Sequence, residues 1–91
     1  MVVKKDIVIT NKTGLHARPA ALFVQMANKY ESDITIIKED QKVNGKSIMG
    51  ILMLAAEKGA TITIIADGDD AETAAEELAD ILLNDIEPNT I

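Results

Sequence analysis

The chain has 91 residues and a hydrophobic fraction of 47%, so it is predicted to form one small globular domain over 1–91. It has no cysteine, no apolar run near the roughly 20 residues of a membrane span, and no apolar signal-peptide region, so a cytoplasmic protein without disulfides is expected. The net charge of −6 comes with no basic stripe and few aromatic residues, which argues against direct binding of nucleic acid.

The first half of the chain predicts a strand, a helix and a hairpin. In "DIVIT", apolar and polar residues alternate, which predicts a strand with Ile7 and Ile9 facing the core. The turn "NKTG" follows, and a segment rich in Ala, Leu and Met predicts a helix from residue 17 to about 29. The β-branched "DITIIK" predicts a strand with Ile34 and Ile36 on one face, and "KVNG" should pair back with it after the turn "EDQ".

The next two elements are predicted as a short helix and a strand. Residues 48 to about 54 are apolar on nearly every side and predict a helix, which Gly59 should end in a left-handed conformation. The alternating "ATITIIA" then predicts a strand that directs Ile62 and Ile64 toward the core.

The last element is predicted as an amphipathic helix that follows the turn "DGDD", with Asp69 or Asp70 as its N-cap and an end near residue 84. Its apolar stripe comprises Ala71, Ala74, Ala75, Leu78 and Leu82, and largely outside it lie Glu72, Glu76, Glu77 and Asp80. The resulting order is β-α-β-β-α-β-α. Half-polar strands favour an α+β fold, a two-layer sandwich whose antiparallel sheet has one face in water and one under helices.

The only histidine, His16, lies just before the first predicted helix in "TGLHARPAALFV". If Ala17 is the first helical residue, His16 is the N-cap, and Pro19 loses no bond because N–H groups of a first turn have no intrahelical acceptor. The N–H groups of Ala17 and Arg18, the helix dipole and the Arg18 guanidinium would then form an anion site beside the imidazole. Neutral imidazole is a nucleophile, so this arrangement suits phosphoryl transfer.

A less specific interpretation competes with this one. A lone histidine before a helix is more often an exposed residue or a weak cap, and the short motif alone favours that reading. A metal site is not predicted, because the chain has no second histidine, no cysteine and no acidic pair at ligand spacing from His16.

Two stretches, "NKTGLHARPAALFV" and "VNGKSIMGILML", resemble the two characteristic motifs of the HPr family, the histidine phosphocarriers of the bacterial sugar phosphotransferase system. The resemblance covers nearly the whole chain. It implies an open-faced sandwich with three helices on one face of a four-stranded antiparallel sheet, in the order 1-4-2-3. It also implies that His16 accepts a phosphoryl group on Nδ1 from phospho-enzyme I and passes it to the A domain of a sugar-specific enzyme II. Arg18 and the N–H groups of Ala17 and Arg18 would stabilise the phosphate. The protein would be a monomeric, stoichiometric carrier without a cofactor.

Ser47 is expected to cap the second helix, which contributes roughly 1 kcal/mol. The resemblance adds a regulatory role, because "KSIMG" is similar to the Gram-positive form of the family. In Gram-positive relatives the HPr kinase/phosphorylase phosphorylates the matching serine, and the product acts as corepressor for a catabolite-control transcription factor. Since a helix N-terminus favours negative charge, a phosphate on Ser47 need not unfold the domain.

The second helix should expose part of its apolar surface beside His16 and so mark a partner surface, although a fully buried helix is the alternative. The resemblance implies a docking face for enzyme I and the A domains, and we define this docking face as Ala21, Val24, Ile48, Met49 and Leu52.

Three other functions stay open. A nitrogen-system paralogue is disfavoured by "KSIMG", and a paralogue that acts only as a corepressor is disfavoured because such proteins lack the histidine. A small α+β module that binds a ligand or a partner would accept no phosphoryl label and should have a pocket at the sheet.

Overall fold

The structure is a computed structural model that describes residues 1–10, 17–54 and 56–84. The described residues form four strands and three helices in the predicted order. Their bounds are β1 Val2–Val8, α1 Ala17–Ala27, β2 Asp33–Lys38, β3 Gln41–Asn44, α2 Ile48–Met53, β4 Thr61–Asp67 and α3 Ala71–Asn84. None of the helices within these ranges combines the length and the apolar composition that crossing a bilayer requires.

The strands form one antiparallel sheet in the order β1-β4-β2-β3, which confirms the expected fold. The register places the core-facing isoleucines side by side, with Ile7 opposite Ile62 and Ile36 opposite Ile64. α3 packs on β1 and β4, α2 packs on β3, and α1 packs against both other helices. The other face of the sheet carries both polar and apolar side chains, and there the Thr63 hydroxyl donates to Asp6 Oδ1 at 2.6 Å.

The core between the sheet and the helices is aliphatic apart from Phe23, which is buried in the middle of α1. The isoleucines predicted to face the core are all buried, and so is the predicted stripe of α3. The buried members of both sets are Ile7, Ile9, Ile34, Ile36, Ile62, Ile64, Ala71, Ala74, Ala75, Leu78 and Leu82. Alternation along the strands and helical spacing therefore identified most of the core.

The predicted role of Gly59 is wrong, although its backbone is left-handed with φ +92°. α2 already ends at Met53, because the N–H of Leu54 turns back to the carbonyls of Ile51 and Leu52. Gly59 lies in a later turn, where its N–H donates to the Ile9 carbonyl at 2.8 Å. The glycine thus shapes the entry into β4 and does not end the helix.

Asp70 immediately precedes α3, as predicted, but its carboxylate serves a different segment. It accepts the N–H of Glu31 at 2.9 Å and the N–H of Ser32 at 3.0 Å, and the Ser32 hydroxyl also donates to it. The hydroxyl of Ser32 is the main reason that the pKa of Asp70 lies below its usual value. The carboxylate therefore ties the loop between α1 and β2 to the start of α3.

A second link joins the same loop to α3. The half-buried Tyr30 hydroxyl donates to the carboxylate of Glu77, at 2.6 Å from both of its oxygens. Burial, then the hydrogen bond to Glu77 and the negative charge of that residue, raise the pKa of Tyr30 from 10.0 to about 12. The folded protein thus favours the neutral phenol more strongly than the unfolded chain does.

This link predicts that the free energy of unfolding depends on pH in the alkaline range. The contribution of Tyr30 should be complete below pH 10 and should disappear as the pH rises through about 12. Tyr30→Phe should lower the free energy of unfolding by roughly 1 kcal/mol at neutral pH. It should also lose less stability than the wild type between neutral pH and the alkaline range. Urea unfolding on both sides of pH 10 measures this difference. Parallel pH profiles of the two proteins would contradict it.

Candidate functional site

The first part of the site is the start of α1. The helix begins at Ala17 and continues through Pro19 to Ala27, so the proline lies in the first turn without breaking the helix, as predicted. Arg18 is exposed in this first turn, whereas Pro19 is buried. His16 lies outside the described residues, so its N-cap position and its role stay predictions. What the structure places is the helix start that follows His16 in the chain.

The second part is the start of α2, where the predicted cap by Ser47 is confirmed. Ser47 has an extended backbone, with φ −111° and ψ 119°, and its Oγ accepts the N–H of Gly50 at 3.1 Å. The preceding turn is tight because Asn44 Oδ1 accepts the N–H of Lys46 at 2.9 Å. Gly45 is needed there, since a Cβ at this position would collide with the Ile34 side chain. The chain thus leaves β3 and enters α2 directly at Ser47.

Hydrogen bonds connect the start of α2 to the C-terminal end of α1. Lys46 Nζ donates to the Tyr30 carbonyl at 2.7 Å, just beyond the end of α1. Asn28 Nδ2 donates to the Lys46 carbonyl at 3.2 Å and to the Val24 carbonyl at 2.9 Å. The residue before Ser47 is therefore fastened to the C-terminal end of α1. This connection could not be predicted from the sequence, because a side chain that reaches a backbone carbonyl in another element leaves no periodic signal.

The third part is the predicted docking face, and its α2 members are exposed. Ile48, Met49 and Leu52 are exposed, whereas Ile51 and Leu54 anchor the helix in the core. The alternative of a fully buried helix is therefore wrong. The α1 members, which are Ala21 and Val24, are half-buried, and α1 and α2 pack against each other. Met53 is also strongly exposed, although it was not among the predicted residues.

The cap predicts a measurable change in stability. Ser47→Ala leaves the Gly50 N–H without its acceptor and should lower the free energy of unfolding by about 1 kcal/mol. Ser47→Asn keeps a side-chain oxygen at the cap and is the matched control, with a much smaller loss. Urea unfolding of the three proteins compares them. Equal losses in both variants would show that the hydroxyl does not act as a cap.

Comparisons with known proteins agree with this geometry. A family model described as "PTS HPr component phosphorylation site" matches residues 3–84. The HPr-like protein Crh of Halalkalibacterium halodurans is 53% identical over 77 residues, which cover 85% of this chain and 92% of the relative. The crystal structure of the phosphocarrier protein HPr from Bacillus anthracis matches with a TM-score of 0.85 and 52% identity, over 89% of this chain and 96% of that one.

A structure of an HPr dimer from Thermoanaerobacter tengcongensis also matches, with a TM-score of 0.69 and 55% identity over 82% of this chain and 86% of that one. The matched region contains the start of α1, the cap of α2 and the whole docking face. The matched range, the identities and the shared fold together show that this chain belongs to the HPr family of the phosphotransferase system.

Proposed function

We propose that the protein carries a phosphoryl group on His16 from phospho-enzyme I to the A domains of sugar-specific enzymes II. The observation that carries the proposal is the start of α1 at Ala17, directly after the only histidine of the chain. A helix start has N–H groups without intrahelical acceptors and a positive end of its dipole. Exposed Arg18 adds a planar cation that suits phosphate oxygens.

In the proposed chemistry, Nδ1 of neutral His16 attacks the phosphorus of the phosphohistidine on enzyme I. The new N–P bond forms while the N–P bond to enzyme I breaks, so the phosphoryl group moves from a histidine nitrogen of enzyme I to Nδ1 of His16. Backbone N–H groups of Ala17 and Arg18, together with the Arg18 guanidinium, stabilise its negative charge. The second transfer, to a histidine of an A domain, repeats the same exchange. The protein is thus a stoichiometric carrier, and it needs no cofactor or metal ion.

The docking face would hold both partners against His16. Its support is the exposed apolar surface of Ile48, Met49 and Leu52 on α2, next to the half-buried Ala21 and Val24 of α1. Exposed apolar patches of this kind mark partner surfaces. The hydrogen bonds of Lys46 and Asn28 support the same proposal, because they hold α2 at a fixed position relative to α1.

A regulatory function at Ser47 is proposed in addition. Its support is the position of the hydroxyl at the start of α2 and the similarity to a protein named Crh. The HPr kinase/phosphorylase would phosphorylate Ser47, and the modified protein would act as corepressor with a catabolite-control transcription factor. The presence of His16 favours a carrier over a paralogue that acts only as corepressor, and "KSIMG" disfavours the nitrogen-system paralogue. We also propose that the protein is a cytoplasmic monomer, although a relative from Thermoanaerobacter tengcongensis was solved as a dimer.

The test of the carrier function is incubation with radiolabelled phosphoenolpyruvate and purified enzyme I, followed by addition of A domains. Acid-labile label should appear on the chain and should then pass to A domains of sugar-specific enzymes II. Failure to accept label would contradict the carrier function. Label that passes only to a nitrogen-system A domain would assign the chain to that paralogue instead.

A charge at Ser47 should weaken the first transfer. Ser47→Asp places a carboxylate directly before Ile48 and Met49 of the docking face, and a negative charge there opposes the approach of a phosphorylated partner. We expect kcat/KM for acceptance from phospho-enzyme I to fall roughly fivefold, which corresponds to about 1 kcal/mol. Ser47→Asn is the neutral control that keeps the cap. Equal rates for the two variants would contradict a charge effect.

A further inference from the structure

The exposed surface of α2 contains two methionine side chains. Met49 is 64% exposed and Met53 is 66% exposed, and residues four apart lie next to each other on one face of a helix. The chain has two other methionines. Met26 is half-buried in α1, whereas Met1 is 69% exposed but lies immediately before β1, an edge strand away from α2.

We propose that Met49 and Met53 form a site of reversible oxidation by hydroperoxides, and that their sulfoxides weaken the docking of phospho-enzyme I. The second part of the proposal rests on the proposed carrier function, whereas the first does not. In the reaction, the thioether sulfur attacks the terminal oxygen of the peroxide, an S–O bond forms, and the O–O bond breaks. With hydrogen peroxide, the transferred oxygen gives its proton to the departing hydroxide, which leaves as water, so the sulfur is oxidised by two electrons and the peroxide is reduced.

Access to the sulfur atoms favours these two residues over Met26. A thioether needs no deprotonation before it reacts, so exposure is the main control of its rate of oxidation. The chain has no cysteine, and therefore no thiol competes for the oxidant within the protein. Both side chains are on the outer face of a helix whose buried Ile51 and Leu54 are not touched by the reaction. Oxidation should therefore change the surface of α2 and leave the core intact.

The effect on docking follows from the chemistry of the product. A sulfoxide is polar and chiral, whereas the methionine side chain is flexible and apolar and adapts to different partners. Met49 belongs to the docking face, and Met53 extends the same exposed surface by one turn. A partner that buries these side chains would have to dehydrate two sulfoxide oxygens. Loss of the apolar contact should raise KM for phospho-enzyme I about tenfold and leave kcat nearly unchanged.

The experiment treats the protein with hydrogen peroxide and follows each methionine by mass spectrometry of proteolytic peptides. In parallel, the initial rate of phosphoryl acceptance from enzyme I and phosphoenolpyruvate is measured before and after treatment. The double variant Met49→Leu, Met53→Leu retains Met1 and Met26 and is compared only with itself, before and after peroxide. Methionine sulfoxide reductases are then added to test whether the rate recovers.

We expect Met49 and Met53 to oxidise several times faster than Met26, with a rise in KM that the reductases reverse and that the double variant does not show. Oxidation of Met26 at the same rate as the α2 pair would overturn the site. Unchanged KM after full oxidation, or an equal rise in the double variant, would overturn the effect on docking. Failure of the untreated wild type to accept label would instead overturn the proposed function, and with it the effect on docking. The oxidation rates are measured without any partner, so they test the oxidation site independently of that function.

Discussion

Replacing His16 by alanine is expected to abolish the acceptance of a phosphoryl group from phospho-enzyme I. His16 is the only histidine of the chain, so the variant has no other imidazole nitrogen to form the acid-labile bond. Incubation with enzyme I and radiolabelled phosphoenolpyruvate, followed by acid treatment of the isolated protein, measures the loss. The fold should stay intact, because the core comprises aliphatic side chains and Phe23 from other elements. Circular dichroism and urea unfolding check this point.

Arg18 provides the matched control for the histidine variant. Arg18→Lys keeps the positive charge in the first turn of α1 but loses the planar fork of donors that is proposed to bind phosphate oxygens. Acceptance should therefore become slower without being lost. Acid-labile label on the His16→Ala protein would refute the assignment of His16. A complete loss in the Arg18→Lys variant would show that the arginine does more than stabilise charge.

Replacing Phe23 by alanine should have the largest effect on stability. Phe23 is 1% exposed in the middle of α1, and it is the largest of the fully buried side chains in the described part of the chain. Removal of a buried phenylalanine ring costs about 3–5 kcal/mol, because apolar contacts are lost and a cavity remains. A domain of this size has a free energy of unfolding of roughly 5–15 kcal/mol, so the variant should be marginally stable or largely unfolded.

Leu83→Ala is the control, because it removes an apolar side chain that is exposed on α3. Surface substitutions of this kind usually change the free energy of unfolding by about 0.5 kcal/mol or less. Phe23→Leu, which leaves a smaller cavity, should lie between the two. Urea unfolding at neutral pH measures all three variants. A loss of less than about 1 kcal/mol for Phe23→Ala would contradict the described packing of α1 on the core.

The strands and helices could be predicted because each has a simple pattern. Isoleucine at every second position in "DITIIK" and "ATITIIA" places the apolar side chains on one face of a strand, and the structure buries those residues. In α3, alanine and leucine recur at helical spacing, which predicted a buried stripe that includes Ala74 and Leu78, and the structure buries both. Local pattern is sufficient where burial follows the period of the element.

The connections between elements could not be predicted in this way. The carboxylate of Asp70 accepts from residues more than thirty positions earlier, and Lys46 reaches a carbonyl at the end of α1. The end of α2 was expected near residue 54 and lies at Met53, but Gly59 was wrongly assigned to it, because a glycine in the left-handed region does not reveal which element it follows. Such contacts depend on which loops the fold brings together, and that information is not local.

The candidate site could be predicted in part from elementary chemistry. A proline that fits a first turn and a serine before an apolar run correctly located the starts of α1 and α2. Physical reasoning also indicated an anion site beside a nucleophilic ring. It could not identify the partners, and the interpretation as a carrier came from the family resemblance. The position of the imidazole itself lies outside the described residues.

The strand order has a consequence for synthesis on the ribosome. β4 lies between β1 and β2, so Val2 pairs with Asp67 and Val8 pairs with Thr61. β1 is therefore translated early, but its partner strand is translated only after the first two helices and the hairpin. At about 5–20 residues per second, the nascent β1 waits on the order of several seconds without a ladder. Lys4, Lys5 and Asp6 in this strand keep it charged during that interval, which disfavours association with other nascent chains.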